Sequence, residues 1–458
     1  MRQWVWFAGV FAGVGVVAGW ACAGGTPAFE SGPDAGGRDA LTGVDPPLVD
    51  VAATFNDMTN QSFWQTFNLP THLDAGATAT GYAYPAFDGR YLYLPPAEYS
   101  SQHPMLRFDT HGSLTDTEAW KTFDYQTALP GSPSGIGGTF ADANYVYFAP
   151  YKKLDQTLSS VFLRYDRSQA FDTPGAWTSF DATTVDGGAD LAGYVGAIFD
   201  GVRYGYFGTY RKNSGYSGLF TRFDTQATFT NTGSWKVHDT ESFPPTTGVR
   251  GMEGAVYDGR YAYLVPYSQD GTNGDGVVAR YDTTLDIDAT EAWKKFDVAA
   301  FYPKASGFAG GVSDGRYIYF VPNISLIDGV IASGSVVARY DTQGAAFDDG
   351  AAWKAFDAAQ LHAEAKGFNG GVFDGRYIYL VPADSAALIV RYDTTLPFAD
   401  ARSWQRFSLT TLDADAHTYA TAAFDGRYVY LVPYGTGVIA RFDARTPPAA
   451  KPYTHSFY

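Results

Sequence analysis

Short alternating segments dominate the chain. RYIYLVP, beginning at Arg376, alternates aromatic with aliphatic side chains and stops at Pro382, and close copies begin at Arg90, Arg260, Arg316 and Arg427. Alternation with a period of two predicts a half-buried β-strand, and the proline ends it. A Gly-rich stretch closing on Asp-Gly precedes each copy, as in GFNGGVFDG from Gly367. Asp-Gly between two such runs predicts a tight hairpin, because glycine tolerates positive φ. Two further strands follow in each unit, VVARYD-like and AWKKFD-like. No segment sustains a helical apolar period over three turns.

The unit is written seven times. Its turn aspartates are Asp88, Asp142, Asp200, Asp258, Asp314, Asp374 and Asp425, at spacings of 54, 58, 58, 56, 60 and 51 residues. The third-strand arginines are Arg107, Arg164, Arg222, Arg280, Arg339, Arg391 and Arg441, and the fourth-strand tryptophans are Trp64, Trp120, Trp177, Trp235, Trp293, Trp353 and Trp404. Four strands in so short a repeat predict an all-β, seven-bladed β-propeller of four-stranded antiparallel blades. The first element met is a fourth strand at Trp64, and the last is a third strand at Arg441. A ring closed by a terminal strand completes that blade and removes both edges. The N-terminal strand, which carries the Trp, is the favoured closer. The tail Tyr453–Phe457 is the alternative, with Phe457 offset from Arg441 as Phe296 is from Arg280.

The order Gly-Gly, Asp-Gly, Tyr-x-Tyr, Arg-Tyr-Asp, Trp resembles kelch-type propeller repeats from about Trp64 to Asp443. Val-Pro stands where kelch repeats place a glycine pair closing the second strand, as at Val265-Pro266 and Val381-Pro382. The resemblance implies a propeller and leaves function open, because propellers host unrelated activities.

The N-terminus changes the picture of where the protein works. Arg2 precedes an apolar run from Trp4 to Ala21, which ends at Cys22, the chain's only cysteine. This resembles a bacterial lipoprotein signal, in which the cysteine becomes the lipidated first residue. Cleavage after Ala23 and an uncleaved anchor are the alternatives, and all three readings export the chain. Residues 23–55, rich in Gly, Pro, Ala and Asp, then form a disordered tether, and 56–458 form the propeller. The expected location is a bacterial outer membrane or cell surface, otherwise the periplasm or medium, with the membrane met only through a lipid. The net charge of −16 argues against nucleic acid.

A residue present in every blade is structural, so candidate chemistry lies where blades depart from the repeat. Eight residues before the turn Asp stand Thr80, Ser134, Ala192, Arg250, Ser306, Lys366 and His417. Five before it stand Ala83, Gly137, Val195, Glu253, Ala309, Asn369 and Ala420. Small residues dominate, so Arg250, Glu253, Lys366, Asn369 and His417 are the departures. In common propeller geometry they share a face with the loops after the second strand, which add Tyr151, Tyr210, Tyr267 and Tyr434. Polar groups converging over aromatics predict a ligand site made of Arg250, Glu253, Lys366, Asn369, His417, Tyr267 and Tyr434. The plainer reading pairs Arg250 with Glu253 and leaves the aromatics as filling.

No cofactor, metal site or catalytic set is expected. The seven histidines lack metal-ligand spacing, and Glu253 is the only acid in these rings where glycosidases need two. The leading expectation is a monomeric surface scaffold binding a glycan, peptide or protein. The alternative is a polysaccharide hydrolase or lyase, which needs Asp186, Asp190 or Glu241 beside Glu253.

Overall fold

The computed structural model describes residues 52–73, 79–97, 103–185, 188, 190–327 and 330–449. Cys22, the signal, most of the tether, Asp186 and the tail from Tyr453 lie outside the described residues.

The chain is a seven-bladed β-propeller. Seven four-stranded antiparallel sheets follow one another. Blade four is representative, with strands Met252–Tyr257, Tyr261–Pro266, Val277–Asp282 and Trp293–Asp297 in spatial order. The first strands of successive blades lie side by side around a full circle, from Ala86–Phe87 of blade one to Tyr419–Phe424 of blade seven and back to blade one. The N-terminal strand Trp64–Asn68 pairs with Val438–Asp443 and completes blade seven. Thr54–Phe55 adds a second clasp on Arg445–Thr446.

The repeated residues account for the ring. In blades one, two, four, five, six and seven the turn Asp accepts two backbone N–H groups with one oxygen. Its other oxygen accepts the hydroxyl of the Tyr five residues on, as Asp374 does from Tyr379 at 2.7 Å. One side chain thereby fixes both the turn and the second strand. The Arg of Asp-Gly-Arg binds the Arg-Tyr-Asp aspartate of the next strand, as in Arg376–Asp393 and Arg427–Asp443.

Two devices join neighbouring blades. Every fourth-strand Trp donates its indole N–H to a carbonyl six residues earlier. Its ring lies nearly parallel to a fourth-strand ring of the preceding blade, with centroids 4.4 to 5.8 Å apart, all the way round the circle. The third-strand Arg lies over the Tyr that opens its own second strand. In four blades it also lies over a Phe of the next blade, as Arg339 does over Tyr317 at 4.0 Å and Phe398 at 4.4 Å. Each such contact contributes about 0.5–2 kcal/mol, according to its burial.

Candidate functional site

The axial lining begins with a bulge. In blades two to seven the register between first and second strands shifts near the start of the first strand, four or five residues ahead of the turn Asp. An extra residue there re-aims side chains away from the sheet. Four residues before the turn Asp, the glycines Gly196, Gly254, Gly310 and Gly370 take positive φ, from +59° to +103°. A Cβ on Gly196 would sit 2.3 Å from the Gly254 Cα, so neighbouring first strands touch backbone to backbone.

Blade one breaks this rule. Its equivalent residue is Tyr84, a non-glycine held at φ +50° and followed by Pro85, and its first strand shortens to Ala86–Phe87. The Tyr84 carbonyl accepts from the Thr139 hydroxyl of blade two. Its side chain is fully buried, and among the described residues its hydroxyl has no hydrogen-bond partner. Blade one also has Ala97 where blades two, three, four and seven place Tyr151, Tyr210, Tyr267 and Tyr434 after the second strand. Tyr84 therefore supplies from the first strand the ring that the second-strand loop lacks.

These residues form one cluster. Tyr84, Tyr151, Tyr210 and Tyr267 pack with Ala83, Ala97, Val195, Ala309 and Ala420, and Tyr216 and Tyr434 lean against them. Four of the small residues named five before the turn are thus together at the axis. Glu253, at the same position in blade four, is 1 % exposed. Burial raises the Tyr84 phenol well above its usual range, and the Glu253 charge pushes it the same way. Tyr210 and Tyr267 are raised by the same two causes, burial first. One carboxyl group thus acts on phenols from blades one, three and four.

The remaining expected site residues divide. Asn369 is buried and accepts from Asn323 Nδ2 at 2.6 Å, while Tyr267 donates to Asn323 Oδ1 at 3.4 Å, so Asn369 joins the cluster through Asn323. Arg250 turns elsewhere: its guanidinium binds Glu241 at 2.6 Å and the Gln269 carbonyl at 3.2 Å. The pairing of Arg250 is therefore with Glu241, which also takes Lys212 at 3.3 Å. Lys366 lies 3.5 Å from Glu364, and His417 Nδ1 lies 2.9 Å from the Thr418 hydroxyl. Of the acids that a hydrolase would need near Glu253, Glu241 is held by these two cations, and Asp190 accepts from Asn213 and Ser214. Among the described residues no group of three His, Cys, Asp or Glu is placed to hold a metal ion.

The positions eight and five residues before the turn Asp miss Tyr84 and include its neighbours Ala83, Val195, Ala309 and Ala420. The available signal was Tyr84-Pro85 standing where blades three to six write Gly-Ala or Gly-Gly, blade two Gly138-Thr139 and blade seven Thr421-Ala422.

Solved structures share this architecture. A catalytically inactive virginiamycin B lyase from Staphylococcus aureus, crystallised with quinupristin, is similar over 83 % of this chain and 98 % of its own, at 11 % identity and a TM-score of 0.53. The β-propeller domain of Cps50 (Swd1) from Myceliophteria thermophila is similar over 83 % and 99 %, at 10 % identity and a TM-score of 0.50. At such identities the likeness is one of fold. No family model matches the chain, and no curated protein sequence matches it.

Proposed function

We propose that the protein is an exported, lipid-anchored binding scaffold whose ligand docks at the tyrosine-lined end of the propeller axis. The observation that carries this reading is the convergence of Tyr84, Tyr151, Tyr210, Tyr267 and Tyr434, from five blades, around the cluster that Glu253 acts upon. The repeat alone does not require it, because blades five and six carry Asn323 and Ala383 at the tyrosine position without loss of their strands. Aromatic surfaces with a few fixed polar groups are how small-molecule and glycan sites are commonly built. The kelch resemblance of the repeats suits a monomeric recognition module, and Cys22 behind a long Gly/Pro-rich segment suits presentation on a lipid tether.

The site is tested by a glycan-array and peptide-array screen of the mature protein, followed by Tyr267→Ala and Tyr434→Ala. The expected result is a ligand whose binding falls at least about tenfold in both variants, the cost of removing one aromatic anchor. Binding that survives both substitutions places the ligand elsewhere. Anchoring has its own test: Cys22→Ser should move the protein from the membrane to the soluble fraction with unchanged melting. Unchanged fractionation overturns lipidation.

A further inference from the structure

We propose that the axial cluster is a site for an organic ammonium ion, with Glu253 as its counter-charge and the tyrosine faces as its walls. The inference rests on the binding role proposed for the same end of the ring and names the chemistry of the ligand.

Three observations point to a cation with apolar substituents. The first is the wall. Tyr84, Tyr151, Tyr210 and Tyr267 are buried together, with Tyr434 against them, and the faces of phenol rings attract positive charge. The protein's own cations already use these rings from the rim. The Arg211 guanidinium lies 4.7 Å from the Tyr216 ring centre and 5.8 Å from that of Tyr210, and Lys152 Nζ lies 5.4 Å from that of Tyr151. The second is the acid. Glu253 replaces the alanine or valine of blades one, three, five and seven at the axis. A carboxylate in such low-dielectric surroundings discriminates strongly for cations and against anions. The donor set is wrong for a divalent metal, which needs several oxygens of its own. A neutral sugar needs no charge at that place.

The third observation is Tyr84. Four residues before the turn Asp it is the one non-glycine held in the left-handed region, and its buried hydroxyl has no hydrogen-bond partner among the described residues. Backbone strain of this kind persists where the surroundings enforce it, and it clusters at ligand clamps. Because Glu253 and Tyr84 are both buried, an entering ammonium group must take the place of a side chain. Tyr84 is the wall side chain whose departure gives up no hydrogen bond among the described residues. It is the plug of the site, and the ligand's alkyl groups take over its contacts with the other tyrosines.

The test uses the full chain in detergent. Calorimetric titration with choline is compared with titration by 3,3-dimethylbutan-1-ol, its uncharged isostere. Choline should bind at least about tenfold more tightly than the alcohol, and Tyr84→Gly, which removes the plug, should tighten choline by a similar factor. Glu253→Gln should abolish the preference for choline. If that variant fails to fold, Tyr267→Leu, which keeps bulk and loses the π-face, should weaken choline more than the alcohol. Equal affinity for the two probes, or no choline binding even by Tyr84→Gly, overturns the inference. If the arrays nevertheless find a ligand that depends on Tyr267 and Tyr434, the ammonium inference falls and the scaffold reading stands.

Discussion

At the residue scale, the positions that depart from the repeat carry separable physical costs. His238 stands where the other blades place a fourth-strand Phe. It stacks on Trp293 with centroids 4.5 Å apart, and its buried Nε2 has no hydrogen-bond partner among the described residues. Burial lowers its pKa below the usual 6.5, and Asp288, 3.6 Å from Nδ1, offsets this only in part. A histidine whose folded pKa is depressed contributes stability that is complete above the unfolded pKa, about 6.5, and is lost as pH falls through the folded value. His238→Phe should therefore flatten the acid limb, with the gap in melting temperature between variant and wild type widening from pH 7.5 to pH 5. A constant gap would mean that His238 does not titrate there. Tyr84 makes a second prediction. Alanine normally outlasts glycine in a strand, but at φ +50° the Cβ is penalised. Tyr84→Gly should be more stable than Tyr84→Ala by about 1 kcal/mol in denaturant unfolding; the reverse order would remove the strain from the account. The site was partly legible in sequence for the same reason. Glu253 and the loop tyrosines stand out against seven aligned copies. The Arg250–Glu241 pair joins positions that no repeat relates, so only the folded backbone reveals it.

At the element scale, blade three shows what one extra residue does to a turn. Its sequence is Asp200-Gly201-Val202-Arg203-Tyr204, and Val202 is 76 % exposed. Asp200 Oδ1 still gathers the backbone N–H groups of Val202, Arg203 and Tyr204. The tyrosine of the second strand is now six residues on, and the buried Tyr206 hydroxyl has no hydrogen-bond partner among the described residues, where six other blades make a bond of 2.7 to 2.8 Å. Deleting Val202 restores Asp-Gly-Arg-Tyr-Gly-Tyr and brings the phenol to the carboxylate. A hydrogen bond to a charged, buried acceptor is worth about 1.5–3 kcal/mol, less whatever the shortened turn costs. The deletion should stabilise the protein by about 1 kcal/mol in denaturant unfolding. A loss of stability would mean that the longer turn is itself required. Arg203–Asp224, at 2.6 Å, serves as the internal reference, since its two strands are paired as in the other blades.

At the scale of the whole molecule, the ring was legible because repetition multiplies a weak signal. One Asp-Gly or one Arg-Tyr-Asp predicts little, but seven copies in fixed order leave only a closed, four-stranded arrangement. The ends carried the rest: a lone Trp strand at the start and a third strand at the finish. The structure joins them, and the join is energetically special. Trp64 stacks on Phe407 of blade six and packs at 4.9 Å against Phe442 of its own blade, while Phe67 stacks on Trp120 of blade one. The strand therefore touches both neighbours of blade seven, and its loss opens the circle rather than trimming an edge. A chain lacking residues 1–73 should expose the edge of Val438–Asp443, whose backbone groups then lack their partners. Such an edge recruits another chain, so the truncated protein should run as dimers and larger species in light scattering coupled to size exclusion. It should also melt over a broader range. A synthetic peptide spanning Ala52–Leu73 carries both the closing strand and the Thr54–Phe55 clasp, and adding it should return the truncated chain to a monomeric complex that melts sharply. The same peptide with Trp64→Ala should do so much less well, because it keeps the backbone ladder and loses the stack. A truncated chain that stays monomeric and melts as the intact protein does would overturn closure by the N-terminal strand.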